Sequence, residues 1–306
     1  MRISVIDIGT NTILHLIADV GDDGSITPVH HGHEIARLGK GVDEHRSIPK
    51  ETMDRVASAL LEFAETSRAL GAERIIACGT SALRDAANRD EFVQFVKGRF
   101  GFDVKILTGS EEAEMTYLGA ISEFEESWSA PNVVIDIGGG STEITAGFGT
   151  TVKRSVSLEI GCVRLTERFL KSSPPSSLAM SETLRTIRSQ IQGLAEISSS
   201  ARLFGVAGTV TTLAALDLGL AEYDPLRVSG HEISMDTIQG IFNRLRIKSV
   251  EEIKTYPQIH PGRADILLAG IIILIEAMKQ LNTQVITASD RGLRYGFALR
   301  EARGPG

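Results

Sequence analysis

A chain of 306 residues that is 42% hydrophobic can bury one large or two medium cores, and charged residues at 23% with 30 glycines exclude a disordered chain. The net charge of −7 argues against a general nucleic-acid binder, which would normally be basic, but it leaves room for an anionic substrate met by local positive charge. Asp7 interrupts the first apolar run, so no signal peptide fits, and Ile266–Ile275 is too short to span a bilayer and predicts a buried helix.

In chain order, "SVIDIGTNTIL" from Ser4 to Leu14 predicts a strand ending at Asp7, a tight turn and a returning strand that runs on through "HLIADV". After a turn at "GDDG" the chain continues toward "HEIARLG", which makes a β-meander. "PKETMDRVASALLEFAETSRALG" predicts a helix, with Pro49 near its first turn and Gly71 just past its end. The strand "RIIACG", a helix across residues 81–99 and the strand "DVKIL" follow. "ILTGSEEAEMTYLGAISEF" is a strand, a short turn and a helix. Thr108 and Glu111 stand there at capping-box spacing, and Ala113, Tyr117, Leu118, Ile121 and Phe124 form an apolar stripe.

The chain then repeats itself. "VVIDIGGGSTEI" from Val133 to Ile144 restates the first phrase, and Asp7 and Asp136 stand 129 residues apart, as do Gly79 of "CGTSAL" and Gly208 of "AGTVTTL". Two unrelated phrases sharing one offset indicate a duplicated supersecondary unit. The second copy runs through "TEITAGFG" and "KRSVSLEIG", the segment "CVRLTERFL", a break at "SSPPSS" and a long amphipathic helix. The strand "RLFGVAG", the helix "TVTTLAALDL", the strand "QVITAS" and a last helix at "RGLRYGFALREA" complete it. Hairpin strands followed by alternating strands and helices predict a mixed α/β sheet in each half. Two such domains would face each other across a cleft, each presenting one Asp-Ile-Gly turn to it.

The turns fit phosphate chemistry. Gly9 and Gly138 let main-chain N–H groups approach a ligand, and "GGGST" has the shape to wrap a phosphate with amides. Asp7 and Asp136 at strand ends suit a hydrated Mg²⁺ or an oriented water. The same residues also fit tight structural turns, with the aspartates capping their own backbone. Glu111, Glu112 and Glu114 crowd a first helical turn, where acids favour the helix dipole, or where one carboxylate near the cleft serves as general base. Cys78 and Cys162 lack metal or redox spacing and are expected to be buried thiols. Among "HHGH", alternation puts His31 and His33 on one face and His30 on the other, as in an edge strand.

Seven phrases in order, "VIDIGTNT", "GTSALRDAANRDEFV", "LTGSEEAE…YLGA", "VIDIGGGSTEI", "LEIGCVRLTE", "GVAGTVTTLAALDLGL" and "ASDRGLRYG", resemble the exopolyphosphatase/guanosine pentaphosphate phosphatase (Ppx/GppA) family through essentially the whole chain. The resemblance implies two actin-like (ribonuclease H-like) α/β domains with mixed sheets flanked by helices and an active site in the interdomain cleft. It places domain I at residues 1–125 plus 290–306 and domain II at 126–289, in a short form without added C-terminal helical domains. By that resemblance Glu112 is the catalytic base and Arg84 faces phosphate. Gly9, Thr10, Asn11 and Thr12, then Gly138, Gly139, Gly140, Ser141 and Thr142, then Gly208 and Thr209, bind phosphate, and Asp7, Asp136 and Glu143 hold metal. Glu114 departs from the family pattern, standing where Arg is usual. Taken alone, Arg84 also fits a solvated arginine paired with Asp85 or Asp90.

The implied reaction is Mg²⁺-dependent, processive hydrolysis of terminal phosphate from inorganic polyphosphate in the cytoplasm, with no nucleic-acid or membrane partner and with monomer and homodimer both open. Basic candidates for a polyanion track are Arg37, Lys40, Lys153, Arg154, Arg164, Arg168, Arg291 and Arg294. One alternative is a 5′-phosphohydrolase acting on guanosine pentaphosphate (pppGpp); only four Tyr and one Trp are available for base stacking. Others are an ATP-dependent kinase, for which "GVAGTVTTL" lacks the expected glycine pair, and a nucleotide sensor that would not require Glu112.

Overall fold

The computed structural model describes residues 1–21, 23–196 and 201–302. The chain divides into two compact units, Met1–Ser122 with Gly292–Gly306 and Glu123–Arg291. The end of the expected domain I, residues 303–306, and Asp22 of the "GDDG" turn lie outside the described residues. Among the described residues no helix is long and apolar enough to cross a membrane.

The first unit is built on strands β1 (Arg2–Ile8), β2 (Ile13–Val20), β3 (Ile26–Glu34), β4 (Arg74–Gly79) and β5 (Val104–Ile106) in the order β3-β2-β1-β4-β5. The first three form an antiparallel meander, and β4 and β5 run parallel to β1. Alternation along β1 decides what each face packs on. Ile6 and Ile8 meet Val56, Leu60 and Phe63 of the helix Lys50–Ala69. Ile3 and Val5 meet Met115 of the helix Gly109–Ile121 and Leu293, Phe297 and Ala298 of the helix Leu293–Ala302. Asp7 continues the Ile3–Val5 face, so it shares a side of the sheet with the helix that carries Glu112.

Those two helices touch main chain to main chain. A Cβ on Gly119 would lie 1.9 Å from the Gly292 carbonyl oxygen, and one on Gly296 would lie 1.8 Å from that of Met115. No side chain fits at either crossing, and the C-terminal helix thereby fixes the seat of the Glu112 helix.

The second unit repeats the plan with β6 (Pro131–Ile137), β7 (Thr142–Phe148), β8 (Thr151–Leu158), β9 (Arg202–Val206), β10 (Glu232–Ser234) and β11 (Val285–Ala288). Its order, β10-β11-β9-β6-β7-β8, is that of the first sheet read from β8, with β10 added antiparallel at the far edge. This shared topology makes both units ribonuclease H-like, the actin-like arrangement that the resemblance implies. The helix Leu267–Gln280 is buried from Leu267 to Met278, as its uniformly apolar sequence requires, and with Val133, Ile135 and Ile137 it anchors the main core.

Two helices differ from expectation, while the histidines and cysteines lie as expected. The span 81–99 forms two helices, Ser81–Asp85 and Arg89–Phe100, because the Asn88 side chain bonds both the N–H and the carbonyl of Ile48, at 2.9 Å each. The Glu112 helix stops at Ile121, and Phe124 belongs to the second unit, stacked on Phe204 at 4.8 Å. His31 and His33 are exposed on edge strand β3, while His30 turns inward to His15, 5.6 Å between rings. Cys78 and Cys162 are both buried and unbridged.

Candidate functional site

The two Asp-Ile-Gly turns fold alike. The N–H of Gly9 donates to the carbonyl of Thr12 at 3.0 Å, and the N–H of Gly138 donates to that of Ser141 at 3.0 Å. Further carbonyls of each turn accept from a second segment. In the first, Gly39 and Arg37 donate their N–H groups to Thr10 (2.8 Å) and Asn11 (2.9 Å). In the second, Cys162 donates to Gly138 (2.9 Å), and Val163 and Arg164 both donate to Gly139 (2.8 and 3.1 Å). The Arg164 guanidinium completes the set, its Nε donating to the Gly140 carbonyl at 2.7 Å.

A trans peptide sets the N–H of each residue opposite the carbonyl of the one before it. With the carbonyls drawn inward, the N–H groups of Asn11 and Thr12 in one turn, and of Gly139, Gly140 and Ser141 in the other, point away from the brace. Successive amides aimed one way make an anion cradle. The brace needs close approach: a Cβ on Gly161 would lie 2.4 Å from the Gly139 carbonyl oxygen and 2.5 Å from the Gly140 nitrogen. Sequence reasoning missed both braces, although each carries a glycine, Gly39 in "RLGKG" and Gly161 in "EIGCV".

Glu112 sits in the first turn of a helix whose start is fixed by a capping box. Thr108 Oγ1 accepts from the Glu111 N–H at 3.2 Å, and Glu111 Oε2 accepts from the Thr108 N–H at 2.9 Å. The Lys105 ammonium, ahead of the Thr108 bonds, pulls the Glu111 carboxyl down to about 2, so Glu111 is committed to the cap. Glu114 is exposed. Glu112 is the buried member, 7% exposed, and Arg84 Nη1 donates to its Oε2 at 2.9 Å and to the Leu107 carbonyl at 2.9 Å. Asp85 lies instead near Arg46, at 3.8 Å. Burial pushes the Cys78 thiol well up, and the charges of Asp7 and Glu112 push it further. Asp7 and Cys78 are register partners on β1 and β4. Asp7 therefore lies on the sheet face that the Glu112 helix covers, and Arg84 reaches Glu112 from the short helix Ser81–Asp85, whose Ala82 and Leu83 pack into the core of the other face.

In the second unit Asp136 and Glu143 are register partners on β6 and β7, and Ser157 follows Glu143 on β8. The Ser157 hydroxyl donates to Glu143 Oε1 at 2.7 Å, and Glu143 is 1% exposed. Two carboxylates directly across a strand pair repel unless a cation lies near them, and their hard oxygens suit Mg²⁺, which is commonly held by one or two carboxylates plus phosphate oxygens and water. The donor set fits such an ion. Among the described residues no three His, Cys, Asp or Glu side chains gather into a ready metal cluster.

Gly208 and Thr209 lie at the start of the helix Ala207–Asp217, straight after β9, and Ala207 is left-handed with φ 63°. The Arg263 guanidinium covers Gly208, where a Cβ would lie 1.9 Å from Nη1, a cation that sequence reasoning did not connect with this turn. Two residues of the expected basic track are interior. Arg164 is 5% exposed, and Arg294 is buried with Nη1 donating to the His15 carbonyl at 2.9 Å.

The sequence profile described as the Ppx/GppA phosphatase family matches residues 16–303. Exopolyphosphatase 2 of Mycobacterium tuberculosis is 36% identical over 313 aligned residues, covering 97% of this chain and 98% of its own length. The crystal structure of the Aquifex aeolicus Ppx/GppA family member superposes with a TM-score of 0.83 at 31% identity, covering 98% of this chain and 97% of that one. An exopolyphosphatase from Cytophaga hutchinsonii gives a TM-score of 0.93 at 25% identity, over 100% of this chain and 99% of the other.

Proposed function

Because the chain belongs to the Ppx/GppA phosphatase family, we propose that it is an exopolyphosphatase, releasing orthophosphate from the end of inorganic polyphosphate. The observation that carries this reading is the buried Glu112 carboxylate held at 2.9 Å by Arg84, on the sheet face shared with Asp7, together with turns whose amides are aimed by a brace. The names of the Mycobacterium tuberculosis and Cytophaga hutchinsonii relatives favour polyphosphate as the substrate.

In the proposed reaction Glu112 accepts a proton from water as the water oxygen bonds to the terminal phosphorus. The bridging P–O bond breaks, and its electron pair stays on the shortened polyphosphate. The charge-assisted bond from Arg84 fixes the direction of the carboxylate, and the guanidinium adds positive charge beside the equatorial oxygens. The amides of Asn11 and Thr12 in the first turn, and of Gly139, Gly140 and Ser141 in the second, hold phosphoryl oxygens; the Thr142 hydroxyl, expected to join them, is fully buried and donates instead to the Ile160 carbonyl at 2.6 Å. Gly9, Thr10 and Gly138 shape the turns, and Gly208 with Thr209 adds a further anion contact. Asp136 and Glu143, register partners on β6 and β7, would hold Mg²⁺, which when bound would neutralise phosphate charge, and Asp7 would orient water from its own turn.

The test is phosphate release with Mg²⁺ from polyphosphates of several lengths and, in parallel, from guanosine pentaphosphate. Glu112→Gln should cost about 10²–10⁴-fold in turnover while substrate binding persists. Undiminished release by that variant removes Glu112 as the base. Preference for the nucleotide would transfer the same chemistry to pppGpp.

A further inference from the structure

The three inward carbonyls of the second turn are not held alike. Main-chain N–H groups meet those of Gly138 and Gly139, whereas that of Gly140 is met by the Arg164 side chain at 2.7 Å. The first turn offers an internal comparison. Asn11 stands 129 residues before Gly140, and its carbonyl is met by the main-chain N–H of Arg37 at 2.9 Å. One copy thus makes the bond with main chain and the other with a guanidinium.

We propose that Arg164 is a positioning residue for phosphate binding, holding the Gly140–Ser141 peptide so that the Ser141 N–H faces the anion. Glycine at position 140 leaves this peptide unusually free to rotate. Rotated by half a turn, it would present a carbonyl oxygen to a phosphate in place of an N–H donor. Arg164 is built for the task. It is 5% exposed, it lies in the segment that braces the neighbouring carbonyls, and its Nη2 is tied at 3.0 Å to Glu159 Oε2, whose charge offsets that of the buried guanidinium. The planar fork bonds Gly140 through Nε and Glu159 through Nη2 at once, a geometry an ammonium does not reproduce. The inference rests on the phosphate-binding reading of the turn and gives the substrate grip a determinant outside the turn itself.

The experiment uses the full chain with Arg164→Met and Arg164→Lys. It measures kcat and KM for phosphate release from tripolyphosphate, the Kd of inorganic phosphate, the Tm, and hydrogen exchange at the Ser141 amide. The proposal expects KM and the phosphate Kd to rise about 10- to 100-fold in Arg164→Met, the scale of a lost hydrogen bond to a charged group. It expects Arg164→Lys to rescue the Tm but not KM, and Ser141 to exchange faster in both variants. A folded Arg164→Met with KM and phosphate Kd within twofold of the parent overturns it. If Arg164→Met does not fold, a parental KM in Arg164→Lys overturns it equally. Should the parent release no phosphate from any phosphoanhydride, the functional reading falls by itself. The phosphate titration and Ser141 exchange still decide Arg164, and values unchanged in Arg164→Lys overturn its role.

Discussion

Replacing His15 by glutamine should remove the stability loss that sets in just below pH 6.5. His15 is fully buried on β2, 0% exposed, with its ring stacked on Phe63 at 4.7 Å and its Nε2 lying 2.9 Å from Ser4 Oγ and 3.1 Å from Ser67 Oγ. Burial, reinforced by the nearby charges of His30, Arg294 and His31, lowers its pKa from 6.5 to about 3. Above pH 6.5 neither the folded nor the unfolded chain protonates this ring, and the full stability is present. As pH falls below 6.5 the unfolded chain takes up a proton that the folded one refuses, so stability drops by about 1.4 kcal/mol per pH unit until the folded pKa is reached. Between pH 6.5 and 5 that amounts to roughly 2 kcal/mol, and down to pH 3 to about 5 kcal/mol. Urea unfolding of parent and His15→Gln from pH 8 to 5 measures it. Glutamine retains hydrogen-bonding groups for Ser4 and Ser67 but does not titrate, so the two stability curves should diverge below pH 6.5. Parallel curves would refute the reasoning, because the acid loss would then belong to other groups.

Gly119→Ala should destabilise the chain by about 2–3 kcal/mol and lower turnover with it, because its Cβ would collide with main chain on the C-terminal helix; paired denaturation and phosphate-release assays check this. Ala207→Gly should raise stability by about 0.5–1 kcal/mol in calorimetry, since Ala207 at φ 63° occupies a conformation that glycine adopts without a Cβ penalty. Glu111→Gln should weaken the helix start by about 1 kcal/mol and leave turnover within severalfold, which separates the capping acid from Glu112 next to it.

The strands, both Asp-Ile-Gly turns and their duplication were legible because each is written in local side-chain pattern: β-branched runs, a glycine after the aspartate, one shared offset. The capping box at Thr108 and Glu111 was legible for the same reason. The braces were not, since Gly39, Arg37, Cys162 and Val163 act there through main-chain N–H groups, which every residue but proline owns. Arg84 fitted local partners at Asp85 or Asp90, yet it bonds Glu112, 28 residues away, because the fold lays one helix start beside another. Arg164 and Arg294 suited a surface track because arginine is usually solvated; their burial is visible only once carbonyl acceptors are placed around them. The break at Asn88 depends on Ile48, 40 residues upstream, which no window of helical periodicity contains.

The contact of Gly119 with Gly292 and of Gly296 with Met115 has a bearing on biosynthesis. The polypeptide leaves the ribosome from its amino end, so residues 1–122 emerge long before the partner of Gly119 has been translated. The unit Glu123–Arg291 is made in between, as an insertion within its host. The nascent chain must therefore wait, with the Glu112 helix unclasped, until its final helix arrives, and a ribosome that stalls before Gly292 leaves behind a product without the clasp.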